Sequence, residues 1–108
     1  MDESQMLKGL LEGCILAVIS RGETYGYEIL SLLEKGGLTE INEGTLYPIL
    51  KRLEKKGFIV CRIGESPYGP KRKYFSVTDE GKQYYFLWIQ TYQQLITAAN
   101  HIIGGEGE

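Results

Sequence analysis

Apolar residues near the start of the chain recur at helical spacing. Leu7, Leu10, Leu11, Cys14, Ile15, Val18 and Ile19 predict a helix from Ser4 to Ser20. Arg21-Gly22 closes it, with Gly22 suited to a left-handed cap. Thr24 is a candidate cap for a second helix, which carries Tyr27, Leu30 and Leu33 and stops at Gly36-Gly37. After a connector from Leu38 to Ile41, Asn42 offers a cap for a third helix running to about Lys56. Leu46, Ile49, Leu50 and Leu53 give that helix its core side, and Gly57 closes it. Pro48 interrupts the pattern, because it lacks an N–H and its ring crowds the carbonyl of Gly44. Either the helix starts nearer Gly44, with Pro48 in its first turn, or it bends there.

The period then changes. Phe58–Ile63 and Lys73–Val77 are rich in β-formers, and Gly64–Pro70 between them is a stretch of turn formers. These predict a two-stranded hairpin with a long tip that includes Gly69 and Pro70, and with Lys71-Arg72-Lys73 on the outgoing arm. Thr78 caps a last helix, with Asp79 and Glu80 favourable in its first turn, which runs to about Ile103 before a tail over 104–108. Tyr85, Trp88, Tyr92, Leu95, Ala99 and Ile102 follow a heptad stripe along it, and Ile89, Ile96 and Ile103 form a second stripe beside the first. An apolar face that wide needs more than one neighbour. The expectation is a two-fold homodimer in which this helix packs on its mate and on Leu7 and Leu11 of the other chain's first helix. The interface set is thus Leu7, Leu11, Tyr85, Trp88, Ile89, Tyr92, Leu95, Ile96, Ala99 and Ile102.

The fold class expected is mainly α with a small β-hairpin: a winged helix-turn-helix over 1–78 and a long dimerisation helix over 79–103. Charge sharpens this reading. The net charge of the 108 residues is −2, which alone argues against a polyanionic partner. Its distribution reverses that impression, because residues 51–73 hold eight basic and two acidic residues and the flanking segments are both acidic. A concentrated basic segment on an acidic body is the footprint of a local polyanion contact; a solvated basic face without a partner is the plainer alternative. In a winged helix the third helix enters the major groove with its N-terminal turns at the base edges. Those turns carry Asn42, Glu43, Thr45 and Tyr47, with Lys51 and Arg52 further along at phosphate height and Lys71, Arg72 and Lys73 on the wing. Of Tyr25 and Tyr27, one packs and the other hydrogen-bonds a phosphate. Spacing does not decide which, and Tyr25 stands in the DNA-facing set. Lys35, Lys55 and Lys56 read as solubilising.

Several blocks together resemble the PadR family of bacterial transcriptional regulators. They are Tyr25-Gly26-Tyr27-Glu28-Ile29, the run from Gly44 to Glu54, Gly57-Phe58-Ile59, Lys71-Arg72-Lys73-Tyr74-Phe75 and Val77-Thr78-Asp79-Glu80-Gly81. The resemblance implies a winged-helix domain, dimerisation through the C-terminal helix, and repression at palindromic operators. It places the groove-reading helix at Asn42–Leu53, with Thr45 and Tyr47 facing DNA, and the wing at Lys71–Lys73. The single short C-terminal helix is similar to that of the family's compact subgroup. Some members sense phenolic acids and others bind aromatic drugs at the dimer interface, and Tyr92 stands where the latter place a key aromatic, one turn after Trp88. The implied effector is a small aromatic compound held by Trp88 and Tyr92; an aromatic stripe that is simply interface core is the alternative.

A winged-helix module that binds protein instead of DNA is the second reading, since the fold supports both; the basic wing favours DNA. An enzyme is not expected, for no catalytic constellation or phosphate loop is present, and with His101 alone neither a metal nor a cofactor is. Cys14 and Cys61 lie in apolar stretches and read as small buried hydrophobes. No apolar run approaches membrane-spanning length, and the stretch Cys14–Ile19 lacks a cleavage-like flank, so a cytoplasmic protein is expected.

Overall fold

The structure, a computed structural model, describes residues 3–105. Helix α1 spans Ser4–Ser20, the span the apolar spacing predicts, and buries Ile15, Leu16 and Ile19 completely or nearly so. Strand β1 (Thr24–Tyr25), α2 (Gly26–Lys35), α3 (Glu43–Lys55), β2 (Ile59–Ser66), β3 (Gly69–Val77) and α4 (Asp79–Gly104) follow. Ile29 and Leu33 from α2, Leu46, Leu50 and Leu53 from α3, and Ile59 and Phe75 from the sheet close the core around α1. Each such side chain contributes about 1.5–3 kcal/mol by leaving water.

Two expected caps are corrected. Gly22 carries φ +154° and lies outside the left-handed helical region. Thr24 does not cap α2. Its backbone joins the sheet, pairing with Phe75, and its buried hydroxyl donates to Glu28 Oε1 at 2.6 Å. The ladder satisfies the backbone while the carboxylate satisfies the hydroxyl, so Thr24 serves as a strand residue.

Asn42 does cap α3: its Oδ1 accepts from the Thr45 amide at 3.1 Å. The helix begins at Glu43, so Pro48 is its sixth residue and lies past the first turn instead of within it. Pro48 denies the Gly44 carbonyl its usual helical donor, and both residues are exposed, so water can take that role. At the other end Gly57, at φ +81°, allows a Schellman closure in which the Phe58 amide donates to Leu53 O and the Gly57 amide to Glu54 O.

The sheet is antiparallel in the order β1-β3-β2. Its hairpin has no long tip. Only Pro67 and Tyr68 separate the strands, because an irregularity between Gly64 and Ser66 absorbs part of the turn-forming stretch into the ladder. Gly69 and Pro70 are therefore strand residues. Proline is tolerated because β1 reaches only Tyr74 and Phe75, leaving β3 a single neighbour at Pro70.

Thr78 caps α4 by accepting from the Gly81 amide at 2.9 Å, and its hydroxyl donates to Gly57 O at 2.7 Å. The end of α3 and the start of α4 are thereby tied. At this corner the carbonyl of Phe58 lies so close to Gly81 that a Cβ there would collide with it. Helix α4 then runs for 26 residues, about 39 Å at 1.5 Å per residue, along a molecule 58 Å in its longest dimension. Of the expected tail, Gly104 is the last helical residue, Gly105 is a left-handed cap at φ +74°, and 106–108 lie outside the described residues. Gly81→Ala is expected to destabilise the fold by about 1–3 kcal/mol, read as a lower urea midpoint; an unchanged midpoint would show that the corner can open without cost.

Candidate nucleic-acid interface

The apolar side of α3 is buried through Leu46, Ile49, Leu50 and Leu53, which turns Glu43, Thr45, Tyr47, Lys51 and Arg52 to solvent. Asn42 stands exposed at the head of this row, with its side-chain oxygen engaged in the cap. Tyr47 reaches across to α2: its hydroxyl sits where a side chain on Gly26 would be, so a larger residue there would displace the ring. Arg52, expected at phosphate height, is paired instead with Glu12 of α1, Nη2 to Oε2 at 3.4 Å. The same carboxylate accepts a hydrogen bond from the Tyr84 hydroxyl of α4. That bond to Glu12, reinforced by burial, pushes the Tyr84 phenol up to about 12.

The wing divides the basic triplet. Strand alternation sends Lys71 and Lys73 to the sheet face that continues into the core and Arg72 to the opposite face. Lys71 and Lys73 are exposed. Arg72 is half-buried, its guanidinium 3.6 Å from the ring centre of Tyr25. Tyr25 is thus the packed member of its pair, whereas Tyr27 is 76 % exposed. Tyr74 and Arg62 complete that face, and Glu23 holds Arg62 at 2.7 and 2.6 Å. The guanidinium in turn holds the Glu23 carboxyl below its ordinary range. Sequence reasoning passed over Tyr74 and Arg62, although a period of two from Arg72 along the hairpin would have found them. Glu12 and Tyr84 are 72 positions apart and carry no comparable local signal.

The expected interface residues divide into those already packed and those left open. Leu11 lies in the chain's own core at 3 % exposure, and Leu7 packs against that core half-buried. Tyr85, Trp88, Ile89 and Ala99 are half-buried. The Trp88 ring fills the space a side chain on Gly13 would take, and it stacks on Tyr92 with ring centres 5.4 Å apart. Tyr92, Leu95, Ile96 and Ile102 are exposed. The Trp88–Tyr92 stack stands between two grooves along α1, one of about 570 Å³ reaching Cys14 and Leu32, the other of about 280 Å³ reaching Met6 and Leu95. Cys14 and Cys61 are unpaired and half-buried, and burial pushes both thiols up. Among the described residues no His, Cys, Asp and Glu cluster could hold a metal ion, and no helix is long and apolar enough to cross a membrane.

A capped, solvent-facing third helix set after a short second one and flanked by a β-hairpin defines a winged helix-turn-helix protein. Comparison with known proteins narrows the class. Residues 15–86 match the model of the transcriptional regulator PadR-like family, and the chain belongs to that family. It is similar to the crystal structure of a PadR-like transcriptional regulator from Bacillus cereus strain ATCC 14579, at 43 % identity and a TM-score of 0.82, over 92 % of this chain and 96 % of that one. It is 32 % identical over 88 residues to the negative transcriptional regulator PadR of Bacillus subtilis (strain 168), covering 80 % of this chain and 48 % of that protein. The chain therefore spans about half of that relative. The structure of Bacillus subtilis PadR in complex with operator DNA matches at 32 % identity and a TM-score of 0.67, over 74 % of this chain and 45 % of that one.

The raised Tyr84 phenol has a pH consequence. Its folded-state value of about 12 lies above the ordinary value near 10, so its stabilisation is complete below about pH 10 and is lost as pH rises toward 12. The stability difference between the wild type and Tyr84→Phe is expected to shrink across that window in urea titrations. A difference that stays constant would mean that the phenol–carboxylate bond does not govern the ionisation.

Proposed function

We propose that this chain is a cytoplasmic transcriptional repressor that binds a palindromic operator as a homodimer. The carrying observation is α3 itself: one side is locked into the core while Asn42, Glu43, Thr45 and Tyr47 stand exposed at its N-terminal turns. In this reading those turns meet base edges, and Lys51, Arg52, Lys71, Arg72 and Lys73, with the exposed Tyr27 in place of the packed Tyr25, meet the backbone. Arg52 reaches a phosphate only by giving up its long, exposed pair with Glu12. Such pairs are worth little, so the exchange costs little. The similarity to a PadR solved with operator DNA and to a regulator named as negative supports the reading.

Residues 1–78 serve as the DNA-binding domain and 79–103 as the dimerisation helix. The partner is a second copy, and the support is apolar surface: Leu95, Ile96, Ile102 and Ile103 are 42–83 % exposed along the second half of α4. Trp88, Ile89, Tyr92 and Ala99 lie on the same seam, with Leu7 and Tyr85 at its edge and Leu11 beneath it. The Trp88–Tyr92 stack between its two grooves is a site of the right chemistry for a small planar aromatic effector that releases the operator.

Selection of bound sequences from a random DNA pool is expected to yield a palindrome with half-sites about 10 bp apart, or a multiple of that, centre to centre. A pool that returns no enriched sequence would overturn the operator reading. Leu95→Glu combined with Ile102→Lys is expected to convert the protein to monomers on sizing chromatography and to lose most operator affinity, since paired half-sites raise effective concentration. Dimers that persist would remove α4 from the interface.

A further inference from the structure

We propose that Arg72 is a pre-aimed anchor for a DNA phosphate and that Tyr74 is the residue that aims it. The inference rests on the DNA-binding reading above and adds to it a division of labour among the wing's cations.

Register sets Arg62 opposite Tyr74, Gly64 opposite Arg72, and Tyr25 opposite Tyr74, all on the sheet face turned away from the core. Four side chains from three strands consequently alternate in one stack. Arg62 lies 4.5 Å from the Tyr74 ring centre, and Arg72 lies 5.3 Å from that ring and 3.6 Å from the ring of Tyr25. The Tyr25 and Tyr74 rings meet edge to face at 5.9 Å. Gly64 leaves the space open, because a Cβ there would collide with Arg62 and press on Tyr74.

The two arginines are held in different ways. Glu23 grips Arg62 through two nitrogens and neutralises it, making it a brace between the start of β1 and the wing. Arg72 is held by neutral groups. Its Nε donates to the Tyr74 hydroxyl at 2.9 Å, and that hydroxyl donates to the Glu65 carbonyl at 2.6 Å. Neither of the ion pairs among the described residues involves Arg72. Its charge is therefore uncompensated while its orientation is fixed, and the terminal nitrogens keep donors suited to the forked grip of a phosphate. An unrestrained arginine would lose rotamer freedom on making the same contact, which weakens binding by about two- to tenfold. Lys71 and Lys73, exposed on the other face, have no such restraint and supply charge without direction.

The test uses the full chain and a 30-bp duplex of random sequence, titrated by fluorescence anisotropy across a range of salt concentrations, with thermal melts to verify folding. Arg72→Ala is expected to lower the salt slope by about 0.9 for each Arg72 in the bound species. Tyr74→Phe keeps the ring and every charge, so its slope should match the wild type while affinity falls about three- to tenfold. Arg72→Lys should also keep the slope, and adding Tyr74→Phe to it should change nothing, because lysine has no Nε for the phenol to hold. A wild-type slope in Arg72→Ala would remove Arg72 from the phosphates, and this arm stands even if the phenylalanine variant fails to fold. Wild-type affinity in Tyr74→Phe, or an equal loss in the Arg72→Lys background, would overturn the aiming role. A wild-type chain that binds the duplex at no salt concentration would instead overturn the DNA-binding reading on which this one stands.

Discussion

Ile15, Leu16 and Ile19 give α1 a face from which water is excluded, and α2, β3 and α4 all pack on that one helix. The rest is arranged around these, with α3 packed on α2 and β2 in turn. Just before Ile15 come Glu12 and Gly13, and each makes a cross-link that apolar packing alone could not. Glu12 joins Arg52 of α3 to Tyr84 of α4, while Gly13 admits the Trp88 ring. Two neighbouring residues of α1 thus reach both the reading helix and the long C-terminal helix. A further restraint lies just past the same end of α3, where Thr78 and the close approach of Phe58 to Gly81 fix the root of α4.

The wing works on a different balance. Its inner part shares the core through Ile59 and Phe75, whereas its outer face is held by stacked rings and guanidinium groups. Such contacts are individually weak and depend on geometry. They keep the strands registered without burying the charges, so a thin hairpin can be stiff and still polar. β1, only two residues long, matters here because it brings Tyr25 and, through Glu23, an acid to the wing's edge.

Much of this was legible in the sequence where the signal was local. The apolar spacing of α1 and the side-chain caps at Asn42 and Thr78 are decided within a few residues, and the structure has them where that chemistry puts them. The errors arose where a distant segment competed. Thr24 has the chemistry of a cap, yet β3 offered its backbone a ladder. The turn formers of 64–70 suit a loop, yet β2 and β3 carried their pairing nearly to the end of the hairpin. Leu11 belongs by spacing to the same stripe as Leu7, but the stripe wraps around the helix and Leu11 falls on the core side. Within the candidate interface, reading Lys71-Arg72-Lys73 as one patch ignored the alternation of a strand, which was available from the sequence. The Glu12–Tyr84 bond was not available, since nothing local to either residue announces the other.

The packing of Trp88 against Gly13 has an optical consequence. The chain holds one tryptophan, and the structure sets it in the seam between α1 and α4, stacked on Tyr92 and bordering both grooves. All indole emission from the molecule therefore originates at one known place, the contact between the C-terminal helix and α1. Widening of that contact would admit water to the ring and redden the spectrum, and tighter closure would shift it to the blue. The protein thus reports the state of that contact in ordinary ultraviolet light, with no dye attached and no residue exchanged.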